Sequence, residues 1–216
     1  MNPHNRLSSA HAAFTRPELI AITCILLIVA TLGAFSLSES RYNQQRRACV
    51  DNLKKIGLAF RIASTDGGAD DFPFQHSVED GGTREYTNVW QHFLAVTNEI
   101  SEPNIFICPT ASKTPAASWR SFTDQNISYF LGVTAMETRP QAFLSGDVGF
   151  FVDGQPPQSN PISLSTNGNI RYLHRIHRSV GNICFGDGSV RSLSSARLNE
   201  ALHNADMATN RLFLPR

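Results

Sequence analysis

Nineteen consecutive residues, 19–37, carry no charge. As a helix at ~1.5 Å per residue they cover about 28 Å, close to the roughly 30 Å of hydrocarbon in a bilayer. A polar neck over residues 38–45 follows, and helical periodicity then resumes from Arg46 to Ile62. Cys49, Val50, Leu53, Ile56, Gly57 and Phe60 share one face there, while Asn52, Lys54, Lys55 and Arg61 fall largely off it. Read as one helix over residues 14–65, the stretch would be about 78 Å long. No single core formed by a chain of 216 residues can enclose a helix of that length. The pattern therefore predicts a first half that crosses lipid and a second half that docks on its own domain.

The remainder is enough for one domain of ~150 residues. A net charge of +1 with 17% charged residues, and no basic stripe interleaved with aromatics, argues against a nucleic-acid partner. The organisation expected is a leader over residues 1–13, the long helix over 14–65 with 19–37 in the membrane, and an α+β domain over 46–216. Residues 1–13 are polar, carry Arg6 and no acid, and end in small residues, as targeting segments do.

Within the domain, Val89, Phe93, Val96 and Ile100 set a helical spacing over residues 88–100. Residues 104–108 read as a strand ended by Pro109, and residues 127–133 and 142–145 as two more, with turns at Gly146-Asp147 and Asp153-Gly154. Residues 155–168, polar and with three prolines, read as an exposed loop. The strongest local signal is a hairpin: residues 182–185 and 190–193 flank Gly186-Asp187-Gly188-Ser189, and Asp-Gly favours the tight turns that join antiparallel strands. Ser194-Ser195 offers a cap for a helix through about Asn204, and residues 212–215 are expected to pack back on the domain. The fold class expected is α+β, with the long helix packed on a small antiparallel sheet.

Few residues suggest chemistry. Cys24 lies in the apolar span and Cys184 in a strand-like setting, both read as packing. If the domain folds outside the cytoplasm, Cys49 and Cys108 are the pair that can form a disulfide, closing a loop of about 60 residues; in a reducing compartment they remain two thiols. His174 and His177 with Asp187 offer either a metal set or a His-Asp pair, but a hydrogen bond pinning a turn is the commoner arrangement. The acids near Glu79-Asp80-Gly81-Gly82 could hold Ca²⁺, yet they lack the alternation of a calcium loop and read as solvated. There is no nucleophile elbow or phosphate loop. The expectation is a non-enzymatic chain with no catalytic residue and no cofactor.

Phe14, with Glu18 four residues later and an unbroken apolar helix beyond, resembles the class III signal of type IV pilins and type II secretion pseudopilins. In that family a prepilin peptidase cuts before the Phe, which is then N-methylated, so the resemblance implies processing between Ala13 and Phe14. Ala13 stands where the family prefers Gly, and Arg16-Pro17 replaces the usual apolar pair. The family's acid maps to Glu18, whose partner would be the N-terminal amine of a neighbouring subunit. Read without the family, Thr15 and Glu18 form a capping box. Cys49-Val50-Asp51-Asn52-Leu53-Lys54-Lys55-Ile56-Gly57-Leu58-Ala59 is similar to the helix that follows the span in a pseudopilin-like family, with Asp51 where that family has Asn. His177, separated from Asp187-Gly188 by nine intervening residues, resembles the same family's H-X9-DG element. The resemblance implies a subunit of the bacterial inner membrane with its domain in the periplasm, whose partners are the peptidase and other pseudopilin subunits. A competing expectation is a single-helix-anchored module that binds glycan or Ca²⁺ and never polymerises.

Overall fold

The computed structural model describes residues 15–66, 71–174, 177–205 and 207–216. The expected leader, its processing point at Ala13 and Phe14, and the glycine pair at 67–68 lie outside the described residues. Helix α1, Arg16–Asp66, runs for 51 residues without interruption, about 76 Å at ~1.5 Å per residue. At its start the Thr15 N–H donates to Glu18 Oε2 at 2.8 Å, the half of a capping box that the acid supplies. Pro17 is tolerated in this first turn because its missing N–H has no helical partner there.

The chain divides into two compact units between Asn43 and Gln44. In the first, the apolar side chains of α1 face outward, Leu19, Ile20, Leu26, Leu27, Leu32 and Phe35 among them. The hydroxyls of Thr23, Thr31 and Ser38 donate to the carbonyls of Ile20, Ile28 and Phe35, each at 2.8 Å. These polar groups are thus satisfied within the helix. Among the described residues one helix is long and apolar enough to cross a membrane.

The second unit takes up the rest of α1 and adds α2 (Val89–Leu94), α3 (Ser195–His203) and eight strands. These are β1 (Tyr129–Gly132), β2 (Phe143–Asp147), β3 (Phe150–Val152), β4 (Ile162–Ser165), β5 (Ile170–Tyr172), β6 (Val180–Phe185), β7 (Val190–Ser194) and β8 (Thr209–Phe213). Six of them form an antiparallel sheet in the order β4-β8-β1-β2-β6-β7, and β3 pairs with β5. The architecture is α+β, a long N-terminal helix packed on an antiparallel sheet.

Both faces of the sheet are covered, so its central strands are buried at every position and their alternation is between two cores rather than core and water. Tyr129, Leu131, Leu144, Cys184 and Phe213 join Cys49, Leu53, Ile56 and Phe60 of α1 in one core. Phe130, Phe143, Ile183, Phe185 and Leu212 point the other way, to Tyr172 and to Leu198 and Leu202 of α3. Phe60 is the hub of the first core, with the rings of Phe72, Phe74 and Phe93 at 6.2, 5.5 and 5.9 Å. Ser194 caps α3 by accepting from the Arg197 N–H.

Four local expectations are corrected. The apolar run after Pro103 is a short 3-10 turn, Pro103–Phe106, not a strand; Phe106 turns inward against Phe93 and Phe122, ring centroids 4.6 and 5.1 Å away. Helix α2 stops at Leu94 and continues only as turns. Gly146-Asp147 is not a turn but the end of β2, where a Cβ on Gly146 would lie 2.7–2.8 Å from Ile183, Asn182 and Phe130; the glycine serves close strand packing. The stretch 155–168 contains edge strand β4. The C-terminal residues pack back on the domain as expected, in β8, which lies inside the sheet between β4 and β1.

Candidate functional site

Asn182, Asp147, His177, Cys108 and Cys49 form a buried polar chain inside the second unit. Cys49 comes from α1, Cys108 from the segment after the 103–106 turn, Asp147 from the end of β2, and His177 from the turn before β6. Cys49 and Cys108 are joined in a disulfide, Cα atoms 4.9 Å apart across 59 residues of sequence. The Asn52 side-chain amide, one turn further along α1, donates to the Ile107 carbonyl at 3.0 Å. These two links tie the long helix to the loop that carries Cys108.

His177 Nε2 lies 3.3 Å from Cys108 Sγ and 3.4 Å from Asp147 Oδ2. Oδ2 also accepts from the backbone N–H and side-chain amide of Asn182, both at 2.8 Å, and the side-chain Oδ1 of Asn182 accepts from the Ser192 hydroxyl at 2.6 Å. His177, Arg178 and Ser179 have φ of 39°, 55° and 68°. Left-handed backbone costs a non-glycine residue roughly 1–2 kcal/mol, which the buried contacts of the imidazole help to offset.

Burial governs the protonation of the group. It pushes the Asp147 carboxyl up to about 7 against the opposing pull of the Asn182 donors and Arg46. It lowers His177 to about 4, with Arg46 acting in the same direction. The phenols of Tyr129 and Tyr172 are pushed up by burial and by Asp147. Cys184 is a free, buried thiol raised by burial to about 12, and is therefore inert packing at neutral pH.

The expected pairing of His177 with Asp187 is corrected: the imidazole turns into the core toward Asp147 and Cys108. Asp187 stays in its own turn, where Oδ1 accepts from the Ser189 N–H at 2.8 Å and its carbonyl accepts from Arg61 of α1 at 3.2 Å. Gly188 has φ +79°, and a Cβ there would press on Arg61. The Asp-Gly turn is thus a docking piece for the helix, and the hairpin of β6 and β7 is as expected. His174 is exposed and does not join His177. Near the acids at 79–80, Ser77 donates to Asp80 and Glu85 accepts from the Val78 N–H.

Asp147 and Asn182 escaped the sequence reading. The signal was present in Leu144-Ser145-Gly146-Asp147-Val148-Gly149-Phe150, a carboxylate inside an otherwise apolar and small-residue run. Taken together, the site offers two sulfurs, an imidazole and a carboxylate in one buried cluster, with Cys49, Cys108, His177 and Asp147 each at most 3% exposed. Comparison with known proteins returns no match to a family model, a curated protein or a solved structure.

Proposed function

We propose that this chain is a non-enzymatic, membrane-anchored, pseudopilin-like subunit that assembles through the first half of α1. The observation that carries the reading is the helix itself: one uninterrupted element whose first half exposes an apolar surface and whose second half is core of a folded domain. An exposed apolar stripe of this length needs lipid or other apolar helices around it. Glu18 at its start is an acid at the edge of hydrocarbon, a costly place for one unless it has a partner. In this reading the chain is cut before Phe14 by a prepilin peptidase at the inner membrane, the domain lies in the periplasm, and Glu18 meets the new N-terminal amine of a neighbouring subunit. The Cys49–Cys108 disulfide suits an oxidising compartment.

Coexpression of the full chain with a prepilin peptidase, followed by N-terminal sequencing, tests the processing step. The expected first residue is an N-methylated Phe14; a chain beginning at Glu39 would instead mean a secreted domain freed from its helix. Assembly is tested separately with Ile20→Cys in a Cys24→Ala background. Disulfide-linked oligomers that depend on Glu18 support a filament, whereas monomers only would identify an anchored module that does not polymerise.

A further inference from the structure

The buried cluster has a state that precedes its disulfide. Cysteines enter a chain as thiols, so Cys49 and Cys108 face His177 and Asp147 as a dithiol before they are ever oxidised. The ligand atoms of Cys49, Cys108 and His177 all lie within 4.8 Å of one another, and Asp147 Oδ2 lies 3.4 Å from the same imidazole nitrogen that touches Cys108. We propose that the dithiol form binds one zinc-class divalent cation through three protein ligands, Cys49, Cys108 and His177. Metal and disulfide are then alternative cross-links between the same two chain segments.

The distances fit three ligands. With a Zn–N bond of about 2.1 Å and Zn–S bonds of about 2.3 Å, a zinc tetrahedron has an N···S edge of about 3.6 Å. The cluster shows 3.3 Å for His177 Nε2 to Cys108 Sγ, and the three ligand atoms all lie within 4.8 Å of one another. Without the S–S bond, the two sulfurs separate toward ordinary contact and open the remaining edge. The ligands come from three separate parts of the second unit, which is the pattern of a cross-linking metal rather than of one exposed acidic loop.

The chemistry is also consistent. Two thiolates and one neutral imidazole form a borderline-soft set that selects zinc over calcium or magnesium. Binding displaces one proton from each thiol: Zn²⁺ and two S–H groups give a zinc dithiolate and two H⁺. The bound centre then carries no net charge, which suits a buried site. The disulfide form has no thiolate to offer, so it does not bind. This inference rests on the second unit alone and stands or falls independently of filament assembly.

The test uses the full chain in detergent micelles. A phosphine reductant opens the disulfide: the phosphine and one water become phosphine oxide, and each sulfur gains a proton. Anaerobic titration with Co²⁺ is then expected to give one equivalent of tetrahedral cobalt with a thiolate-to-cobalt charge-transfer band in the near ultraviolet. Zn²⁺ should displace it and shield two thiols from alkylation. The oxidised protein should show none of this. His177→Gln should weaken binding by more than about 100-fold, beyond the roughly 10–100-fold of an outer partner. Retention of wild-type affinity by His177→Gln would mean adventitious thiol binding and overturn the site. Should the reduced protein lose its near-ultraviolet circular dichroism, zinc is expected to restore it; failure to restore it sinks the proposal as well.

Discussion

A Cβ on Gly57 would lie 2.5 Å from Cys184 Sγ, so helix α1 passes over β6 at a distance only glycine permits. Gly57→Ala sets two effects against each other. Alanine favours the helix by about 1 kcal/mol, while overpacking a closed core costs about 1–3 kcal/mol. Cys184 is fully buried, so the clash should win and the variant should melt at a lower urea concentration. The same change in a Cys184→Ala background removes the obstructing sulfur, and there the helix gain should show. Equal destabilisation in both backgrounds would put the contact elsewhere.

Asp51 and Asn52 are neighbours with opposite importance. Asn52 donates to the Ile107 carbonyl from a half-buried position, so Asn52→Ala should cost on the order of 1–2 kcal/mol by leaving a carbonyl without its donor. Asp51 is exposed, with Lys54 3.7 Å away on the helix surface, a pairing worth little in water. Asp51→Asn should therefore change stability by no more than about 0.5 kcal/mol. Paired denaturation curves read the contrast directly.

The long helix was legible because its two periodicities are local: an uncharged run, then an amphipathic face ending in Phe60. The 190s hairpin and the helix after Ser194 were legible for the same reason, each carrying its own turn or cap chemistry. Strands β4 and β8 were not, because an edge strand in a proline-rich stretch and a short C-terminal run acquire their structure from each other, through pairs such as Leu164 with Asn210. The site was half legible. Cys49 and Cys108 stood out by residue type, but His177 was matched to the nearest Asp-Gly in sequence, whereas its partner Asp147 arrives from another strand. Only the strand pairing of β2 with β6, which sets Gly146 opposite Ile183, brings that carboxylate to the turn.

Removal of the disulfide should be felt by the whole second unit. Closing a loop of 59 residues stabilises by about 4 kcal/mol in the chain-entropy model. Cys49→Ala with Cys108→Ala should thus lower the thermal midpoint by roughly 10 °C for a unit of this size. The oxidised and double-alanine proteins, melted side by side in the same detergent, give the answer; coincident midpoints would assign the bond no role in stability.

His92 makes stability depend on pH with a definite sign. Its ring is buried against Phe213, centroids 5.3 Å apart, with Tyr86 at 6.3 Å, and Nδ1 lies 2.9 Å from the Thr83 hydroxyl. Burial lowers it to about 4 from an ordinary value of 6.5. Between those two values the unfolded chain binds the extra proton and the folded chain does not, so folding becomes more favourable as pH rises across the window. That contribution is lost as pH falls from about 6.5 to about 4, and the full gap is worth about 3 kcal/mol. Gln keeps a donor for Thr83 and does not titrate. In His92→Gln, the stability should fall less steeply on acidification than in the unsubstituted protein, by close to one proton's worth of slope. Asp147 and His177 titrate in neighbouring ranges but are common to both proteins and cancel in the difference. Parallel slopes between pH 4 and 6.5 would show that His92 is protonated in the folded state, in contradiction to its buried position.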